Sequence, residues 1–216
     1  MFSGDKMQER NVIEFYVLAT KLKDIIRSGW KLWHISKERI ESVAEHVYGT
    51  CILAIAIDSE YKININLNKV LKMLVIHELE EVFIGDLTPY DEGYDNKIEQ
   101  GHEAVKKVLN NLIKKNEYFD LINEFDNQSS IEGKFAYSCD KLEADLVAKL
   151  YEEQGYSDIY SDDNKEIMSW AFTKPFVNQG GQNLAELYIL SDYNKFYFDE
   201  FKKLADYAKD NEIDVN

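Results

Sequence analysis

The chain is poor in proline, cysteine and positive charge. Its 216 residues include two prolines, far below the usual ~5%. That scarcity excludes a turn-rich β-sandwich and favours long uninterrupted helices. Two cysteines, Cys51 and Cys139, cannot build a disulfide framework, so a cytoplasmic setting is expected. Both are expected to pack as small buried residues. No apolar run approaches the ~18 residues of a membrane span. The opening MFSGDKMQER has no signal-peptide core. Against 40 acidic residues stand only 25 basic ones, a formal net charge of −15. Such a field excludes nucleic-acid polymers as partners, because their binding needs clustered Lys and Arg. It also disfavours anionic membrane surfaces. A phosphate-bearing substrate would need a local reversal of sign.

What is present is enough for a core: 45% of the residues are hydrophobic and 13% aromatic, which a disordered acidic chain lacks. The length suits one domain, or one domain with an appendage. Val12, Phe15, Tyr16, Ala19, Leu22 and Ile26 follow helical spacing across residues 8–27, with Gly29 placed to end the helix. Residues 30–41 read as a loop. Ser42 to Glu45 has the form of a capping box and opens an apolar helix. YKININL reads as a loop despite its alternation. Asn68 can cap a helix running to Gly85. The loop DLTPYDEGYD follows, then helical patterns at 96–115, 117–125 and 131–153. Beyond a polar break at 155–164 come a short helix near 164–172, an NQGGQN turn and a last helix near 182–211. The expected architecture is all-α: a core over residues 1–155 and a C-terminal helical extension, 156–216, packed on the same domain.

Four features can carry chemistry: His46, the pair His77-Glu78, the acids Glu81 and Asp86, and Asp140. On a helix, His77 and Glu81 share a face. Their segment, VIHELEEVFIGD, is otherwise apolar, and placing such groups there costs desolvation unless they are paired or bound to metal. Imidazole plus carboxylate suits Mn, Fe, Co or Zn better than Ca. HELEE alone is an ordinary helix string, and it is not the HExxH zinc motif. His34 and His102 read as satisfied structural histidines. Trp30 and Trp33 can equally plug the core, and Asp145, five residues past Asp140, points elsewhere. The aromatic stripe YNKFYFDEFKKLADY reads as core or a dimer face. No phosphate loop, dinucleotide fingerprint or nucleophile elbow is present.

The order His46, His77-Glu78, Asp140 resembles the HD-domain superfamily of metal-dependent phosphohydrolases, defined by H…HD…D. The segments RSGW, ESVAEHVYG, IHELEEVFIGDLTP and FAYSCDKLEADLVAKLYEE resemble its 5′-deoxynucleotidase branch over roughly residues 10–155. The resemblance implies that His46, His77, Glu78 and Asp140 are metal ligands. It makes Glu81 and Asp86 the acidic pair that handles the attacking water and the leaving oxygen. Trp30 then lies against the sugar, and Arg27 pairs with the phosphate. Further implications are a nucleotide substrate, hydrolysis by a metal-activated water, and a homodimer. Glu78 departs from the family's aspartate. Two alternatives stay open: an HD hydrolase of (p)ppGpp, dNTPs or cyclic nucleotides, and a nucleotide-binding variant without turnover.

Overall fold

The computed structural model describes residues 4–91 and 94–215. Part of the loop DLTPYDEGYD, at 92–93, and the outermost ends of the two expected regions lie outside the described residues. The helices are α1 Gly4–Ala19, α2 Ser28–Leu32, α3 Val43–Glu60, α4 Leu67–Ile76, α5 Glu81–Ile84 and α6 Lys97–Leu109. They continue as α7 Lys115–Asp126, α8 Ile131–Glu153, α9 Lys165–Ser169, α10 Lys174–Asn178, α11 Leu184–Asp192 and α12 Asp199–Asp210. Among the described residues there is no strand, only an isolated bridge between Ile26 and Ser42. The architecture is all-α.

That bridge places the site. Arg27 N–H donates to Glu41 O at 3.0 Å and Val43 N–H to Ile25 O at 2.8 Å, which ties the Arg27 segment to the start of α3. The capping box forms as its residues dictate: Ser42 accepts from Glu45 N–H, and the Glu45 carboxylate accepts from Ser42 N–H. Long α8 runs through the middle and packs against α3, α4, α7, α11 and α12. Val43, Ala54, Met73, Leu74, Phe135 and Phe201 are fully buried in one core. A second core joins Trp30 and Trp33 to Ala148 and Tyr151 of α8 and Leu184 and Leu187 of α11. The C-terminal helices therefore share both cores with the rest of the chain.

Several boundaries differ from the sequence expectation. The first helix stops at Ala19 and tightens into a 3₁₀ turn, Thr20–Lys23. Gly29 does not end it but lies inside α2, where a side chain would come within 3.0 Å of the Tyr188 hydroxyl. The cap of α4 is Asn66, not Asn68, and its side chain accepts from Lys69 N–H. The helix expected to run to Gly85 breaks after Ile76. Residues 77–80 form a tighter turn, with Leu79 N–H on Ile76 O and Glu81 N–H on Glu78 O, before α5 resumes. Gly85 ends α5 at φ +74°. The last helix is two, α11 and α12, separated by the segment Tyr193–Phe198, where Phe196 and Phe198 turn inward onto Phe201. Neither the end of the 164–172 helix at Ser169 nor the short α10 was legible in the pattern.

Candidate metal centre

Three elements bring four polar residues to one point. His46 comes from the first turn of α3, His77 and Glu78 from the turn after α4, and Asp140 from the middle of α8. Each offers a donor atom, and all four atoms lie within 4.8 Å of one another. Glu78 Oε1 is 3.4 Å from His77 Nε2 and 3.6 Å from His46 Nε2. Asp140 Oδ1 is 3.0 Å from His46 Nε2 and 3.8 Å from His77 Nε2. All four residues are buried.

The donor set fits a dication. His77 Nδ1–H donates to Leu74 O at 2.7 Å, which leaves Nε2 buried with no hydrogen-bond partner. An orphaned imidazole nitrogen in a buried site is costly unless something fills it. Burial and Arg27 disfavour an imidazolium at His46, yet Glu143 and Asp140 raise its pKa to about 10. Burial opposes ionisation of Glu78, but His77, Lys97 and Arg27 hold it down to about 2. Asp140 is likewise held well below its ordinary range against burial, first by Lys141 and then by His46 and His77. The space between these groups favours positive charge. Two imidazoles with two carboxylates is a set for Mn, Fe, Co or Zn.

The donors stand at one wall of a cavity of about 430 Å³. Arg27, Lys97 and Lys141 line it beside Glu78, Asp86 and Asp140. Arg27 Nη1 is 3.6 Å from Glu78 Oε1 and 4.0 Å from Asp86 Oδ1, and Lys141 Nζ is 2.8 Å from Asp140 Oδ2. Burial works against all three cations, and the surrounding carboxylates keep each of them charged. Each of these cations stands beside a carboxylate, so the local reversal of sign that a phosphate needs would come from them together with a bound dication.

Asp86 faces this cavity, and its Oδ2 accepts from Ser28 N–H at 2.6 Å. Glu81 lies behind it, 1% exposed, with Lys97 Nζ 3.4 Å from its Oε1 and its Oε2 unpartnered. Burial, then Glu78 and Asp86, push the Glu81 carboxyl well above the usual carboxylate range. Trp30, expected against the sugar, lines the same cavity. It is 1% exposed, and its indole N–H donates to Glu41 Oε2 at 2.6 Å. Its ring stacks on Tyr188 at 5.1 Å, and Tyr188, the more exposed of the two, also lines the cavity.

Sequence reasoning did not single out Glu143, Lys97, Lys141 or Tyr188. A signal existed for Glu143, which falls three residues after Asp140 and so on the same helix face. None existed for Lys97 or Tyr188, which arrive by tertiary packing. His102, read as structural, pairs with Asp126 at 2.8 Å and also lines the cavity. His34 is exposed, and Asp145 is buried.

Among known proteins, 5′-deoxynucleotidase HDDC2 of Dictyostelium discoideum is 31% identical over 152 residues, covering 67% of this chain and 79% of that one. The human 5′-deoxynucleotidase HDDC2 is 27% identical over 173 residues, covering 79% of this chain and 82% of its own. A solved "predicted metal-dependent phosphohydrolase" from Magnetospirillum magnetotacticum MS-1 has the same fold. It superposes with a TM-score of 0.68 at 20% identity, over 97% of this chain and 95% of its own. The HD-domain family profile matches residues 19–174, past the boundary expected at 155. With that match over most of its length, the chain belongs to the HD-domain family.

Proposed function

We propose that the chain is a metal-dependent 5′-deoxynucleotidase that removes phosphate from deoxynucleoside monophosphates. One observation carries this reading: two imidazoles and two carboxylates converge within 4.8 Å at the wall of a cavity that three half-buried cations line. The activity named for the relatives supports the choice of substrate. His46, His77, Glu78 and Asp140 would hold the ion, with Mn, Co, Fe or Zn as the candidates. When bound, such an ion supplies Lewis acidity to a phosphoryl group and acidifies water. The four ligands position it, and no protein nucleophile is required.

The chain's own groups divide the remaining work. Arg27, with Lys97 and Lys141, offers the charge that a phosphate needs. Asp86 stands in the cavity as a carboxylate able to accept a proton from water. Glu81, driven toward its protonated form, is the acid of the pair, and Lys97, which stays charged beside it, offers a hydrogen bond to the leaving oxygen. Tyr188 and the segment around Tyr90 close the cavity against the sugar and base. Tyr90 is held there by its hydroxyl contact to Thr173 at 2.8 Å and its ring contact to Trp170 at 3.9 Å. The charge of −15 supports a small substrate over a polymer. No helix among the described residues is long and apolar enough to cross a membrane. The exposed apolar face Tyr48, Ile52 and Ile55 on α3 is compatible with a homodimer in the cytoplasm. Residues 156–216 act as an extension that completes the cavity wall through Tyr188, Asp192 and Lys195.

A panel of nucleotides with Mn²⁺ or Co²⁺ tests this reading. Phosphate release from deoxynucleoside monophosphates is the expected result. Turnover confined to tri- or tetraphosphates or cyclic nucleotides would contradict it.

A further inference from the structure

Both imidazoles of the donor set must present Nε2. A backbone carbonyl holds His77 through Nδ1. His46 has a side chain instead: its Nδ1 lies 2.5 Å from Glu143 Oε2. We propose that Glu143 is the positioning residue of the metal centre, and that residue 49 is glycine because the Glu143 carboxylate occupies the place of its side chain. The inference rests on the metal-centre reading above.

With Glu143 at Nδ1, the ring is oriented so that Nε2 faces the other three donors. The pair cannot wander, because His46 is 0% and Glu143 6% exposed. Glu143 lies three residues past Asp140 on α8. One face of one helix thus delivers a ligand and the group that orients another ligand.

Gly49 lies three residues past His46 on α3, inside the helix. Glycine there weakens a helix relative to alanine. Its φ is not in the left-handed region, so backbone conformation does not call for it. Space does. A Cβ at residue 49 would fall 2.3 Å from Glu143 Oε1 and 2.9 Å from Glu143 Cδ, so the Glu143 carboxylate would have to leave its place beside His46. The other side of the arrangement is Glu41, which accepts the Trp30 indole N–H. Glu41, His46 and Glu143 also bring donor atoms within 4.8 Å of one another. We read this trio as support and not as a second metal site. Its imidazole already faces the four-donor set through Nε2, and its carboxylates are engaged by Nδ1 and by the indole.

The test is a Co²⁺ titration of the full chain, followed by visible absorption, with thermal denaturation alongside. Glu143→Ala should weaken Co²⁺ binding about 10- to 100-fold while the fold persists. Glu143→Gln, which keeps the shape and an acceptor oxygen, should return binding to within about tenfold of wild type. Gly49→Ala would ordinarily strengthen a helix, but here it should weaken Co²⁺ binding by about tenfold or more. In the double variant Gly49→Ala/Glu143→Ala the clash has no partner. Its Co²⁺ affinity should match that of Glu143→Ala alone.

Wild-type affinity in Glu143→Ala or in Gly49→Ala overturns the proposal. So do additive losses in the double variant, or a Gln variant no better than Ala. Should Glu143→Ala not fold, Gly49→Ala alone decides, since it leaves Glu143 in the chain. A wild-type chain that binds no Co²⁺ would overturn the metal-centre reading and this inference with it.

Discussion

Glu78 carries one methylene more than the aspartate of the HD pattern, and its Oε1 nevertheless reaches 3.4 Å from His77 Nε2 and 3.6 Å from His46 Nε2. The longer side chain is therefore compatible with ligation. Glu78→Asp should change the rate of phosphate release with Mn²⁺ by no more than about tenfold, or about 1.4 kcal/mol in the barrier. An inactive wild type with an active Asp variant would instead identify a nucleotide-binding protein without turnover. A second residue tests the interior. Asp145 is 1% exposed and neither of its oxygens has a hydrogen-bond partner. Burial, then Asp192, push its carboxyl well above the usual range, with Lys195 and Lys141 only partly opposing. Above an ordinary Asp pKa of ~3.9 the unfolded chain loses this proton first, so stability falls as pH rises toward the folded-state pKa. Asp145→Asn should remove that penalty, with a gain of about 1–3 kcal/mol at pH 8 and little at pH 4, measured by thermal denaturation. A gain that is equal at both pH values would show that the carboxylate is not the cause. Residues of this kind were only partly legible. Histidines and acids inside apolar helices stood out because their burial needs compensation. Lys97 and Tyr188 did not, because a lone Lys or Tyr carries no local signal of what it will face.

Among the elements, the termini that side chains determine were the most legible. Ser42 and Glu45 announce the start of α3 by their own hydrogen bonding, and α8 begins and ends where its pattern does, at Ile131 and Glu153. The breaks in long apolar runs were not legible. Periodicity persists through 77–80, yet the chain tightens there and places His77 and Glu78 together at the donor set. The same holds near 193–198, where tertiary packing of Phe196 and Phe198 prevails over helical continuity. Gly85 is the exit of this turn region, at φ +74° and ψ 172°, with nothing within 4 Å of a Cβ. Gly85→Ala therefore meets backbone strain alone, about 1–3 kcal/mol. It should lower stability by that amount in denaturant titration. It should also lower turnover, since the next residue is Asp86. Stability within 0.5 kcal/mol of wild type, the ordinary range of surface substitutions, would contradict the assigned strain.

Among the described residues the C-terminal helices supply part of both cores. Phe201 of α12 is 0% exposed and meets Phe135 of α8 edge to face at 5.2 Å. Phe201→Ala should cost about 3–5 kcal/mol in denaturant titration. A loss below about 1 kcal/mol, less than a well-packed Phe can give, would mean that residues 156–216 only rest on the surface. The scarcity of proline made the helical class legible, and the spacing of His46, His77-Glu78 and Asp140 made the centre legible. The cavity was not, because its walls come from segments as distant in sequence as Arg27, Lys97 and Tyr188. The excess of acid takes on a local meaning here: part of it surrounds a space that favours a cation. The central claim is that His46, His77, Glu78 and Asp140 hold a divalent ion there. Elemental analysis of the purified wild type beside His77→Ala and Asp140→Ala tests it most directly. Stoichiometric divalent metal in the wild type and its loss in both variants is the expected result. Full metal content in both variants would contradict it.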